Sequence, residues 1–190
     1  MTQDRLRQFA ALVEKWSAKI NLVSKADIPH IWSRHVEDSL ALIPHIPPGT
    51  QTAIDLGSGA GFPGLVLAIA TGIPFTLIES DKRKAAFLID AARQLNAPAK
   101  VLALRIESAK LPPAALITAR ALAPLAQLLT LASPHLAAGG ICLFPKGKNW
   151  QIELTAAEAL WHMQAEMLPA REPETCILKV SHLRHVGHSG

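Results

Sequence analysis

Cysteine is scarce in this chain: two residues of 190, Cys142 and Cys176, far apart and without a CxxC pair. That scarcity excludes a disulfide scaffold and a zinc ribbon. Each thiol sits in an apolar, strand-like stretch, where it acts as a small buried hydrophobe. Long apolar runs are missing as well. The longest, residues 65–75, is broken by Gly72 and Pro74 and falls short of the ~20 residues needed to span a bilayer. The first residues, Met-Thr-Gln-Asp-Arg-Leu-Arg, hold no apolar core of a secretion signal, so the cytoplasm is the expected address. Internal repeats and low-complexity linkers are absent, which together with the length implies one domain over 1–190. Charged residues make up only 18% and apolar ones 49%, a balance that excludes a disordered chain.

What charge there is leans positive. A net charge of +4 and a pI near 9.3 are compatible with a polyanionic partner such as nucleic acid.

Two textures divide the chain. In the first fifty residues, Leu6, Phe9, Leu12, Val13 and Trp16 recur at helical spacing. A second amphipathic stretch, with Asp27 as its expected N-cap, places Ile31, Val36, Leu40 and Ile43 on one side. Pro44, Pro47, Pro48 and Gly49 end it. Residues 1–50 therefore form a helical extension to a core spanning 51–190. In the core, strands are expected at 52–56, 75–79, 100–104, 114–119, 141–144 and 175–181. The helices between them are expected at 62–70, 82–95 (capped by Asp81, with Ala85, Leu88, Ile89 and Ala92 inward), 124–136 and 151–167. Such alternation implies right-handed βαβ units and an α/β fold with a mainly parallel sheet. Ligands in these folds sit beyond the carboxyl ends of the strands. That rule selects 57–63, 79–81, 105–107, Arg120 and 145–148.

The central motif is Asp55-Leu56-Gly57-Ser58-Gly59-Ala60-Gly61-Phe62-Pro63-Gly64. It follows an apolar strand and opens a helix, the context in which glycines let a ligand approach the backbone. A dinucleotide loop wants a third glycine where Phe62 stands. Asp55 at the loop entrance suits a ligand without phosphate, such as S-adenosylmethionine, with its amino-acid end, ribose and sulfonium. Glu79, twenty-two residues after Gly57 and at the end of the second strand, can accept both ribose hydroxyls. No Ser-His-Asp set, HExxH or pair of acids is evident. Two competing readings keep weaker support. One is a methyltransferase of a small molecule or a protein, of which the small-molecule form needs a closed apolar pocket; the other is an NAD-type oxidoreductase, which needs the missing glycine, or a catalytically silent binding module.

Taken in order, Trp16…Asn21-Leu22-Val23-Ser24, Arg34-His35-Val36-Glu37-Asp38-Ser39-Leu40, the glycine block, Ile78-Glu79-Ser80, Arg105-Ile106-Glu107, Ala119-Arg120-Ala121 and Lys146-Gly147 carry a resemblance. Over roughly residues 16–148 the chain strongly resembles the bacterial ribosomal RNA small subunit methyltransferase G family, also called glucose-inhibited division protein B. The resemblance implies a Rossmann-like class I methyltransferase with a seven-stranded sheet, helices on both faces and an N-terminal helical extension. It implies S-adenosylmethionine as cofactor, with Gly57 and Phe62 lining it, Ile106 and Glu107 flanking the adenine, and Arg120 reaching into its site. Asp55, Gly59 and Glu79 complete the expected cofactor set. The implied reaction is methylation of N7 of one guanine, guanine-527, in 16S rRNA. The partner is then that RNA or the small ribosomal subunit, and the enzyme a monomer. Arg34, His35 and Asp38 lie near one helical face and are expected to roof the site, with Arg34 on phosphate, His35 stacking and Asp38 on the guanine's donors. Lys146 and Lys148, after the fifth strand, are placed either to meet the RNA backbone or in a solvated loop. Two departures stand out: Ala115 replaces an aspartate usual in the family, and Ser17 an asparagine. His182, His185 and His188 fall in a tail expected to be frayed, and no metal is assigned to them.

Overall fold

The computed structural model describes residues 2–187; His188 lies outside them. An amphipathic helix, α1 (Thr2–Ser17), comes first, followed by a chain of short turns that includes α2 (Glu37–Leu40). The core then runs β1 (Ala53–Leu56), α3 (Gly64–Thr71), β2 (Phe75–Ile78), α4 (Lys82–Gln94), β3 (Ala99–Leu102) and β4 (Ala114–Thr118). It continues with α5 (Leu125–Ala132), β5 (Leu136–Lys146), α6 (Trp150–Glu158), β6 (Trp161–Pro169) and β7 (Cys176–His185). Seven strands form one sheet in the order β3-β2-β1-β4-β5-β7-β6. The first five are parallel, and β7 inserts antiparallel between β5 and β6.

The order reverses between β1 and β4, and that switch point opens the crevice where the candidate site lies. Every residue of β1 is buried because both faces of the sheet are covered. Side-chain alternation sends Ala53 and Leu77 to the layer under α1, α3 and α4, and Ile54, Leu56 and Ile78 to the layer under α5 and α6. Nearly all of α3 is buried, as its uniformly apolar Leu65–Ile69 run demands. The N-terminal extension packs onto it through Phe9, which is fully buried and lies 5.3 Å from Phe62 and 6.3 Å from Phe87. Burying a side chain of that size contributes ~1.5–3 kcal/mol. The extension thus buttresses the glycine loop from behind.

Four expectations are corrected. The helix expected over 151–167 stops at Glu158, and Trp161–Pro169 is a strand. Its Trp161, Met163 and Ala165 alternate inward, a period of two that pairing with β7 selects over the good helix propensity of these residues. The stretch after Asp27 is not one helix but a 3₁₀ turn, a π-helical turn over Trp32–Val36 and α2. Asp27 stands at the N-cap of the first of these turns, as expected, but its side chain binds Ser24 and Arg34 rather than the turn's amides. Ile89 faces outward on α4, where the inner positions go to Ala85, Phe87, Leu88, Ala91 and Ala92. His182 and His185 belong to strand β7 rather than to a frayed tail. The two cysteines are free and buried in β5 and β7. Ala115 is exposed on β4 beside an irregularity in its pairing with β5, away from the crevice. No helix among the described residues is long and apolar enough to cross a membrane.

Candidate active site

The loop after β1 turns on Gly57, Gly59 and Gly61, all at positive φ. Gly57 has a second reason to be glycine: a Cβ there would stand 2.6 Å from Leu122 Cδ1. Glu79, buried at the end of β2, holds the loop. Its Oε2 accepts from the Gly59 amide at 2.8 Å and its Oε1 from the Asp81 amide at 2.7 Å. Asp81 in turn caps α4, as expected, by accepting from the Arg83 and Lys84 amides. Around this loop lies a cavity of about 540 Å³ whose walls include Gly57, Gly59, Phe62, Glu79, Ile106 and Glu107. Arg120 closes one side. Seven of the eight expected cofactor residues therefore meet at one cavity.

Asp55 is the eighth, and it does not. Strand alternation turns it into the layer under α3, where it is fully buried. Its Oδ1 accepts from Thr118 Oγ1 at 2.6 Å, while Oδ2 has no hydrogen-bond partner among the described residues. A Cβ on Gly64 would come within 2.5 Å of the Asp55 Cβ, so the last glycine of the motif exists to let α3 pack on this carboxyl. Burial pushes its pKa up to about 6, against the opposing hydrogen bond from Thr118. Asp55 shapes the loop from below.

A second cavity, about 580 Å³, adjoins the first. Asp27, His35, Arg120, Ala121, Leu122 and Ala123 line both. Phe62, which lines the first cavity, supports two members of that shared wall. The His35 ring stacks on it at 5.1 Å, and the Arg120 guanidinium sits 5.4 Å from its centroid. Arg120 Nη2 is 2.8 Å from His35 Nδ1. A guanidinium only donates, so Nδ1 accepts and the imidazole proton resides on Nε2. Burial first, then the Arg120 charge, holds the His35 pKa down at about 4. The divider carries a neutral histidine.

The π-helical turn places Arg34 and His35 at the second cavity, in keeping with the tendency of such turns to occur at functional sites, and α2 adds Asp38. Arg34 is exposed and pairs with Asp27 at 2.9 Å. Asp38 is half-buried, with Arg171 Nη1 at 3.5 Å, and burial raises its pKa. Lys146 is placed differently from the expectation. Its side chain is 8% exposed, and its ammonium binds Glu153 and the Ala123 carbonyl rather than projecting to an RNA backbone. Lys148 is exposed and pairs with Glu174 at 2.7 Å.

Sequence reasoning missed Arg171, Glu153, Leu122 and Ala123. Arg171 reaches from the β6–β7 turn to Glu37 at 2.6 Å and to the Ser33 carbonyl at 2.6 Å, closing the rim of the second cavity. Nothing in its local sequence marks it, because the β6–β7 hairpin was itself unread. Among the described residues no cluster of three His, Cys, Asp or Glu side chains could hold a metal ion.

Comparison with known proteins accords with this geometry. The model of rRNA small subunit methyltransferase G matches residues 2–174. A ribosomal RNA small subunit methyltransferase G from Gluconobacter oxydans is 56% identical over 186 residues, covering 97% of this chain and 96% of the relative. A ribosomal protein L11 methylase from Lactobacillus delbrueckii subsp. bulgaricus superposes with a TM-score of 0.61 at 18% identity, over 78% of each chain. An N-methyltransferase from Bradyrhizobium japonicum, in complex with S-adenosyl-L-homocysteine, does so with a TM-score of 0.59 at 13% identity, over 87% of this chain and 94% of that one. At these identities the two structures share the fold alone, which is that of Rossmann-like class I methyltransferases. With its glycine loop, its paired cavities and a match over nearly its full length, the chain belongs to the ribosomal RNA small subunit methyltransferase G family.

Proposed function

We propose that this chain transfers the methyl group of S-adenosylmethionine to N7 of a single guanine in 16S rRNA, guanine-527 by family resemblance, acting as a monomer in the cytoplasm. The observation that carries the reading is the pair of cavities that share a wall of His35 and Arg120, both packed on Phe62. Each volume lies within the ~300–1,000 Å³ usual for ligand sites.

The first cavity suits the cofactor. Gly57 and Gly59 bare the backbone, Glu79 turns remaining acceptor capacity toward a ribose, Ile106 and Glu107 flank an adenine, and Arg120 supplies a positive charge for a carboxylate. When bound, S-adenosylmethionine supplies a methyl group already activated by its sulfonium. Guanine N7 is an unprotonated acceptor and already nucleophilic, so no general base is required. The protein's work is alignment. The second cavity suits the base. RNA recognition favours unpaired nucleotides because the A-form major groove hides N7, so the guanine enters from a loop or turned out of its stack. Asp38, a half-buried carboxylate whose nearest cation stands 3.5 Å away, accepts from guanine's ring and exocyclic N–H groups and favours the positive charge that develops on methylation. Arg34, exposed at the mouth, meets phosphate.

The test uses small subunits and naked 16S rRNA from a strain lacking the gene, incubated with the protein and labelled S-adenosylmethionine. The RNA is digested and the methylated base located by mass spectrometry. The expected product is 7-methylguanine at one position. A methyl group on ribose, on an exocyclic nitrogen or on a protein side chain would overturn the reading.

A further inference from the structure

The Arg120–Pro124 segment divides the two cavities, yet its conformation is not one the sequence would adopt by itself. Ala121 has φ +51°, a region that non-glycine residues occupy only where their surroundings over-determine them. The segment is also where the two ligands' walls are set. Leu122 presses on Gly57, Arg120 lies over Phe62, and Ala123 faces both cavities.

Two side chains from elsewhere grip it. Lys146, the last residue of β5, donates from Nζ to the Ala123 carbonyl at 3.2 Å and to Glu153 Oε2. That same Glu153 oxygen, from α6, accepts the Leu125 amide at 2.9 Å. Leu125 opens α5, whose N-cap is Pro124, a residue with no side-chain acceptor to offer. Glu153 therefore caps α5 from outside the helix. A lysine side chain only 8% exposed demands its carboxylate, because left alone it is a poorly solvated charge, whereas Glu153 is 26% exposed and keeps some contact with water.

We infer that Lys146 and Glu153, both in the wall of the second cavity, are positioning residues, a half-buried clasp that holds the Arg120–Pro124 divider in register between the cofactor and base cavities, and that Lys146 pairs with no RNA phosphate. The inference rests on the methyl-transfer reading only for its turnover assay. It gives the Lys146-Gly147 motif a role inside the fold.

The full-length protein, its Lys146→Met, Glu153→Gln and double variants, and Lys146→Arg are compared in three assays. These are turnover on small subunits, S-adenosylhomocysteine affinity, and RNA affinity against salt concentration. Each single variant should turn over about 10- to 100-fold more slowly, the scale of an ångström-level misalignment. Cofactor affinity should change little, since the glycine loop and Glu79 remain. The double variant should be no slower than the worse single, as for one coupled unit, and Lys146→Arg should recover most of the turnover. The salt slope of RNA binding should match that of the unaltered protein. A slope shallower by about one phosphate contact in Lys146→Met, with normal turnover of Glu153→Gln, would make Lys146 an RNA contact and overturn the clasp. Independent, multiplying losses in the double variant would overturn it too. Should Lys146→Met fail to fold, Glu153→Gln and Lys146→Arg decide between the same alternatives. An acceptor other than guanine N7 would sink the proposed reaction while leaving salt slopes and coupling readable.

Discussion

Replacing Glu79 separates what its charge does from what its shape does. Both carboxylate oxygens accept backbone N–H groups, Oε2 from Gly59 at 2.8 Å and Oε1 from Asp81 at 2.7 Å. The Asp81 bond anchors the start of α4, whereas the Gly59 bond sets the loop that the cofactor must meet. A hydrogen bond to a charged group contributes ~1.5–3 kcal/mol, so Glu79→Ala should weaken S-adenosylhomocysteine binding about 10- to 150-fold. Glutamine looks like the harmless choice, being nearly isosteric. It is not, because its amide nitrogen cannot accept. Whichever way the group is flipped, one backbone N–H faces an NH₂ donor. Glu79→Gln should therefore bind the cofactor no better than Glu79→Ala. Isothermal titration calorimetry on both variants, with circular dichroism to verify folding, measures this. Binding by Glu79→Gln at the affinity of the unaltered protein would refute the role given to the paired acceptors, and so would an unchanged Glu79→Ala.

Two further outcomes follow from the same loop. Gly57→Val imposes φ +63° on a β-branched residue, at ~1–2 kcal/mol for the left-handed backbone alone, and drives a Cβ into Leu122. Calorimetry should detect no cofactor binding by the folded variant, and affinity near that of the unaltered protein would contradict the close approach. Asp55, with its native pKa raised to about 6 from 3.8, binds its proton more tightly folded than unfolded. Its contribution therefore favours folding at low pH and is lost as pH rises from about 4 to 6, by roughly 3 kcal/mol in all. Urea unfolding across that range should show the unaltered protein losing stability relative to Asp55→Asn. A difference that stays flat, or grows in the opposite direction, would show that the buried carboxyl is not the titrating group.

Much of the site was legible because its signals are local. The glycine block directly after an apolar strand marks a ligand loop from the sequence alone, since only a few residue types tolerate that turn. The chain-order rule of parallel sheets then carried Glu79, Ile106, Glu107 and Arg120 to the same crevice, where the structure has them. Asp55 defeated the same logic. Its place in the motif points to the ligand, but strand alternation in β1 sends it to the opposite side of the loop, and only the packing of Gly64 against it reveals which side is buried. Strand β6 was read as helix because its residues favour helices locally, and only the long-range partner β7 supplies the competing hydrogen bonds.

Lys146 marks the boundary most plainly. Composition and position alone present it as a surface cation near an RNA-binding mouth, and its neighbour Lys148 is indeed exposed. Which of two lysines two residues apart turns inward depends on α6 bringing Glu153 within reach, a contact that no local pattern encodes. The α/β alternation, the glycine loop and the family are all legible in the chain, because periodicity, backbone freedom and motif order are properties of neighbouring residues. Which charges pair away from water, how His35 and Arg120 come to part the two cavities, and which residues hold that divider in place depend on packing between elements. Those arrangements join separate elements, as when Lys146 and Glu153 reach Ala123 and Leu125 more than twenty residues away, and burial, not identity, sets their chemistry.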